Sequence, residues 1–281
     1  MKLGLHLSIA GGVDKAVDRA VELGADTLQI FAKSPRNWQG RQLKSAEIAT
    51  FKTKLAEAEI NPLIVHVNYL SNLATPKEEL YRKSKAAISA DLQRAELLGA
   101  DYLVLHPGNH TGSGTEAGLA RINQALEQLV AENETGVKLL LENVAGAGTE
   151  LGVNFKELAA MVSGIPTAEI GLCLDTCHAF GAGYNLSTKE GIQRLLAEID
   201  EDFALDRLEV VHINDSKGEL GSNKDRHFHI GQGEIGYSGF KELLKLLPDS
   251  VKALILETPI DEAGDDELNL QTLQDLADEV I

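Results

Sequence analysis

Histidines and carboxylates collect in this chain at the ends of short apolar runs. His66 closes Leu63–His66, His106 closes Tyr102–His106 and Glu142 closes Lys138–Glu142. Asp175 closes Ile170–Asp175, His212 closes Leu208–His212 and Glu257 closes Ala253–Glu257. Each is a metal-ligand type, and six consecutive runs ending this way point to a metal site rather than to isolated structural polar groups. His178 follows Asp175 by three residues in Asp175-Thr176-Cys177-His178. Asp225 and His227 are two apart in Asp225-Arg226-His227, so they share a face if that segment is extended. Imidazole nitrogens with carboxylate oxygens, and no evident thiolate, suit zinc, manganese or iron. Nine such donors exceed the needs of one ion, so Glu142 or Glu257 can bridge two. Multi-metal sites of this kind activate water and hold both the attacking and the leaving oxygen in phosphodiester hydrolysis.

The elements that must position these groups follow from hydrophobic period. Apolar runs at Leu3–His6 and Thr27–Phe31 join the six above, and the eight read as strands buried on both faces. Helical patterns lie between them, near 13–23, 45–58, 77–98, 117–130, 154–162, 188–199 and 238–247, with a last one at 268–280. Eight strand–helix pairs predict an α/β fold, a (β/α)8 TIM barrel forming a single domain over 1–281. A doubly wound open sheet is the alternative, disfavoured by eight units. In a barrel, the polar residues at the strand ends meet at the C-terminal mouth. The stretch Asp215–Tyr237 has no clear pattern, and loops of that length are usually functional or disordered. Asp261–Glu267 reads as a solvated acidic loop.

Composition narrows the partners. The 281 residues carry 26 Lys+Arg against 43 Asp+Glu, a formal charge of −17. That balance argues against a broad electrostatic nucleic-acid surface, although bound divalent ions and a local basic rim can outweigh it. There is no long apolar run, so no membrane span is expected. Met1–His6 lacks the apolar core of a secretory leader, and two cysteines, Cys173 and Cys177, fit a reducing compartment. The expected location is cytoplasmic.

Five segments carry a family resemblance. Leu105-His106-Pro107-Gly108, Leu141-Glu142-Asn143, Gly171 to His178, Val211 to Ser216 and Asp225-Arg226-His227 together resemble the endonuclease IV family of zinc-dependent apurinic/apyrimidinic endonucleases. The likeness runs from Gly4 to Glu257, and the Asp-Thr-Cys-His and Asp-Arg-His segments are its most specific parts. It implies a TIM barrel with three zinc ions. The first is held by His66, His106 and Glu142. The second is held by Asp175, His212 and Glu257, with Glu142 bridging to it. The third is held by His178, Asp225 and His227. It further implies base excision repair of double-stranded DNA, with hydrolysis 5′ to an abasic site leaving a 3′-hydroxyl. Glu142 is then the central catalytic residue. Arg36, Tyr69 and Leu70 match family positions that enter the duplex, where planar or apolar wedges replace a lost stack. Manganese or iron at some positions, and a monomeric enzyme, are consistent with this reading. Lys33, Lys217, Lys224 and Arg226 are candidate phosphate contacts.

Two other classes compete. A metal-dependent sugar isomerase or epimerase uses the same barrel with one or two metals, and the extra His178, Asp225 and His227 count against it. A non-catalytic binder of damaged DNA has no need of a ligand set. Other features read as structural. Gly146-Ala147-Gly148 lacks the rest of a dinucleotide fingerprint, and the cysteines read as small buried residues. His6 is placed behind the metals, and His229, two residues beyond His227, leaves the register of the third site open.

Overall fold

The computed structural model describes residues 1–280, so Ile281, the last residue of the expected domain, lies outside the described residues. Strands and helices alternate along the chain. The first are β1 (Lys2–His6), α1 (Val13–Leu23), β2 (Thr27–Phe31), α2 (Ser45–Glu57), β3 (Leu63–His66), α3 (Glu78–Leu98), β4 (Tyr102–Leu105) and α4 (Thr115–Ala131). Then come β5 (Lys138–Glu142), α5 (Phe155–Met161), β6 (Ile170–Asp175), α6 (Thr176–Ala182), α7 (Lys189–Asp202) and β7 (Leu208–His212). The chain finishes with β8 (Asp215–Ser216), β9 (His227–Phe228), α8 (Gly236–Leu246), β10 (Ala253–Leu256) and α9 (Asp265–Asp278).

Eight strands close a parallel barrel in the order β1-β10-β7-β6-β5-β4-β3-β2. Closure excludes the open sheet, because β1 pairs with both β2 and β10 and no barrel edge is left. Ile64, Val104, Leu140, Cys173, Val210, Ala253 and Ile255 fill the barrel interior. A larger apolar layer seals the strands to the helices, with Phe51, Phe155 and Phe240 fully buried. At Gly4 a Cβ would lie 2.0 Å from the Thr27 carbonyl oxygen, so only glycine lets β1 approach β2 there. Helices α1 and α3 end at Gly24 and Gly99, both left-handed, which turns the chain back toward the next strand.

Four details differ from the sequence reading, the first being that Asp265–Glu267, read as part of a loop, form the opening turn of α9. His106 and Glu257 lie one residue past β4 and β10. A helix, α6, begins directly after β6, where the apolar pattern predicts none; its seven residues are too few for a period to stand out. Asp175 caps it by accepting the His178 N–H at 2.7 Å. The Asp215–Tyr237 stretch is ordered around the antiparallel pair β8–β9. The Asp215 carboxylate gathers the N–H groups of Ser216, Gly233 and Ile235 at 2.8–3.0 Å. Among the described residues no helix is long and apolar enough to cross a membrane.

Candidate metal centre

All nine candidate ligands converge at the C-terminal mouth of the barrel. They fall into overlapping groups whose donor atoms lie within 4.8 Å of one another: His66, His106 and Glu142; Glu142, Asp175, His212 and Glu257; His178, Asp225 and His227. Glu142, fully buried, joins the first two. Its Oε2 lies 3.0 Å from both His66 Nε2 and His106 Nε2. Its Oε1 lies 3.1 Å from His212 Nδ1 and 3.4 Å from His178 Nδ1. Asp225 reaches His178 Nε2 at 3.3 Å and His227 Nε2 at 3.2 Å, delivered by the loop between β8 and β9.

Tautomers follow from the second nitrogen of each ring. His66 Nδ1 lies 2.6 Å from the Val67 carbonyl, His178 Nδ1 2.9 Å from that of Asn143 and His227 Nδ1 2.9 Å from that of Glu257. A carbonyl only accepts, so Nδ1 carries a proton and Nε2 is the nitrogen turned to the cluster, where a proton or a metal ion would sit between it and the carboxylates. Among the described residues the buried His227 Nε2 makes no well-directed hydrogen bond, although Asp225 Oδ1 lies 3.2 Å from it. A buried nitrogen so placed beside carboxylate oxygens fits a bound cation, and the N/O donor set suits zinc.

Electrostatics agree. Burial would raise the Glu142 carboxyl, yet His106 and His212 hold it well below the usual carboxylate range. Burial likewise opposes charge on His227, but Asp175 and Asp225 raise it to about 9. His178 is drawn well above its ordinary value against burial by Asp175, Asp225 and Glu142. The carboxylates therefore make a strongly negative pocket that takes up cations, whether protons or metal ions. Cys177 Sγ also lies near Asp175 and His227, and burial pushes its thiol up to about 12.

A shell of side chains that sequence reasoning overlooked orients the donors. Asn143 Oδ1 accepts the Asp175 N–H at 2.8 Å. Asn214 Nδ2 donates to Asp175 Oδ2, and its Oδ1 accepts the Glu257 N–H, each at 2.8 Å. Gln29, fully buried in β2, contacts both His212 and Glu257. The available signal was an asparagine just after Glu142 and another two residues after His212, with a glutamine inside an apolar run. His6 stands behind the cluster, its Nδ1 2.6 Å from Glu257 Oε1. His229 turns away to Asn269, so His227 alone of the two faces the ligands.

Around the mouth, Arg36 and Tyr69 are exposed and Leu70 half-buried. The Tyr69 ring stands 6.0 Å from that of His106, beside a cavity of about 210 Å³ that His106, His178 and Asp225 help to line. A larger cavity of about 670 Å³ lies away from the ligands, between α3 and the segment that follows β2. Lys217, Lys224 and Arg226 are exposed. Lys33 is not, which corrects its assignment as a phosphate contact: its side chain is 4% exposed and its ammonium is paired with both oxygens of buried Asp91 on α3.

A parallel barrel with a cluster of histidines and carboxylates at its C-terminal mouth defines a metalloenzyme class, and the xylose isomerase-like TIM barrel family model matches residues 17–279. A Halothermothrix orenii protein named "Probable endonuclease 4" is 47% identical over 276 residues, covering 97% of this chain and 99% of that one. A Methanoculleus marisnigri protein of the same name is 45% identical, covering 98% of each chain. The crystal structure of endonuclease IV from Thermus thermophilus superposes with a TM-score of 0.86 at 38% identity, over 99% of this chain and 100% of that one. The chain belongs to the endonuclease IV family. A D-tagatose 3-epimerase-like protein, at 20% identity and a TM-score of 0.75, shares the fold.

Proposed function

We propose that this protein is an apurinic/apyrimidinic endonuclease that hydrolyses the phosphodiester 5′ to an abasic site in double-stranded DNA, leaving a 3′-hydroxyl. The observation that carries the reading is the third donor group, His178, Asp225 and His227, set beside the Glu142-linked pair of groups in a chain of this family. A sugar epimerase needs one or two metals and leaves that third group without a task.

His66, His106 and Glu142 would hold one zinc, Glu142, Asp175, His212 and Glu257 a second, and His178, Asp225 and His227 a third. Bound zinc would supply Lewis acidity at the scissile phosphate and water of lowered pKa. The chain's own residues prepare the site for it. Glu142 offers one oxygen to each side of the cluster, so it fixes the spacing of the two groups it joins. Asp175 and Asp225 are aimed by Asn214 and by the β8–β9 loop. Three divalent ions would turn the negative field of these four carboxylates positive, which reconciles phosphate binding with a chain charge of −17. At the rim, Arg36, Tyr69 and Leu70 would enter the duplex and occupy the gap beside the missing base. Lys217, Lys224 and Arg226 would contact phosphates. We further propose that the protein acts as a cytoplasmic monomer.

The test is single-turnover incision of a duplex carrying one tetrahydrofuran abasic analogue, which cannot undergo β-elimination. Cutting 5′ to the analogue that leaves a 3′-hydroxyl and is lost after prolonged chelation supports the reading. No cutting by fully metal-loaded protein overturns it and favours the epimerase.

A further inference from the structure

His212 differs from the other anchored histidines of the cluster. His66, His178 and His227 are each held by a backbone carbonyl at Nδ1 and face the cluster through Nε2. His212 faces it through Nδ1, 3.1 Å from Glu142 Oε1 and 3.3 Å from Glu257 Oε2. Its Nε2 has a side-chain partner, Gln29 Oε1, at 2.9 Å.

The orientation of the Gln29 amide follows from its other end. Gln29 Nε2 lies 2.8 Å from Glu257 Oε1. An ionised carboxylate only accepts, so the amide –NH2 must face it. The amide oxygen is then fixed toward His212, and it too only accepts, so His212 Nε2 carries the proton. When a cation takes the place of the proton that Nδ1 would otherwise give to Glu142 or Glu257, the lone pair of His212 is thereby confined to Nδ1. Glu257 Oε1 also receives His6 Nδ1 at 2.6 Å, so that oxygen is satisfied and Oε2 remains to face His212 Nδ1. One buried amide thus sets the tautomer of one proposed ligand and the free oxygen of another.

We propose that Gln29 is a positioning residue of the metal centre, which selects Nδ1 of His212 and Oε2 of Glu257 as the donors of the second ion. The inference rests on the metal reading above. Outer partners of this kind typically contribute ~10–100-fold in metal affinity.

Gln29→Met keeps the side-chain length and removes the hydrogen bonds to His212 and Glu257 together with the 3.0 Å contact of Nε2 with His6 Nδ1. Gln29→Glu keeps an acceptor for His212 Nε2 but sets a second carboxylate against Glu257. Two readouts apply to each protein: the rate of zinc transfer to a chromogenic chelator, and the histidine tautomers of the zinc-loaded protein from two-bond ¹⁵N–¹H spectra. Circular dichroism confirms that each variant is folded. The wild type should show His212 protonated at Nε2. In Gln29→Met, one zinc should be held ~10–100-fold more weakly and so be lost to the chelator faster than from the wild type, with the His212 pattern altered and those of His66, His178 and His227 unchanged. In Gln29→Glu, the His212 tautomer should be retained while zinc is still lost faster. Wild-type zinc release and tautomers in folded Gln29→Met would overturn the role of Gln29 and leave the metal reading standing. Failure of the wild type to retain any zinc would overturn the metal reading itself.

Discussion

Replacing Lys33 tests whether the segment after β2 is held by a structural ion pair or offers its lysine to DNA. Lys33 and Asp91 side chains are 4% and 2% exposed, and the ammonium bonds both carboxylate oxygens. The pair pins the segment that carries Arg36 and Trp38 onto α3. Lys33→Met keeps most of the packing and leaves a buried carboxylate without a counter-charge, at a cost of about 3–5 kcal/mol. For a chain of this size that lowers the melting temperature by roughly 6–15 °C. Burial already raises the Asp91 carboxyl above its ordinary value, against the pull of Lys33. Without Lys33 the folded pKa rises further above the unfolded one. The deficit is therefore absent below the unfolded pKa and grows as pH rises through the folded one, so Lys33→Met should be closer to wild type at pH 5 than at pH 7. The double variant Lys33→Met/Asp91→Leu removes both charges and should recover most of the loss. Urea denaturation of the singles and the double gives the coupling energy, and fluorescence anisotropy at several salt concentrations gives the DNA affinity. Unchanged stability of Lys33→Met, with a salt slope smaller by about one, would refute the argument and return Lys33 to the phosphate contacts.

Other substitutions separate the remaining roles. Glu142→Gln removes the carboxylate that joins two donor groups, so turnover should fall by several orders of magnitude and bound metal should decrease; near-normal incision would defeat its proposed role. Tyr69→Ala should leave metal content unchanged and weaken binding to abasic duplex by about 1–3 kcal/mol, the usual worth of a stacked aromatic, measured by anisotropy against undamaged duplex. Cys173 and Cys177 are buried with thiols pushed up to about 12, so neither should react with a disulfide reagent at pH 8 until the protein is unfolded. DNA affinity should fall with salt on a modest slope, because the proposed contacts rest on four exposed cations, Arg36, Lys217, Lys224 and Arg226; a much steeper slope would reveal a basic surface not accounted for.

Much of the site is legible in one dimension because a barrel maps sequence position onto space. Every strand runs the same way, so a residue that ends an apolar run must arrive at the same rim as the other strand ends. That rule alone brings His66, His106, Glu142, Asp175, His212 and Glu257 together. The period of the apolar residues likewise places all eight barrel strands to within one residue at either end.

Tertiary structure decided what depends on side-chain direction and on short polar elements. The seven residues of α6 and the two-residue strands β8 and β9 are too short to leave a period, yet they deliver His178, Asp225 and His227. Spacing could not choose between His227 and His229, whereas the contact of His229 with Asn269 does. Lys33 reads as a surface cation because α3, which brings Asp91 to it, lies far along the chain. Gln29 is one polar letter in an apolar strand, and its meaning appears only when barrel closure sets β2 across from β7 and the end of β10. The chain encodes which groups are present and which rim they reach; three-dimensional packing sets which atom of each group carries a proton and which is left for a cation.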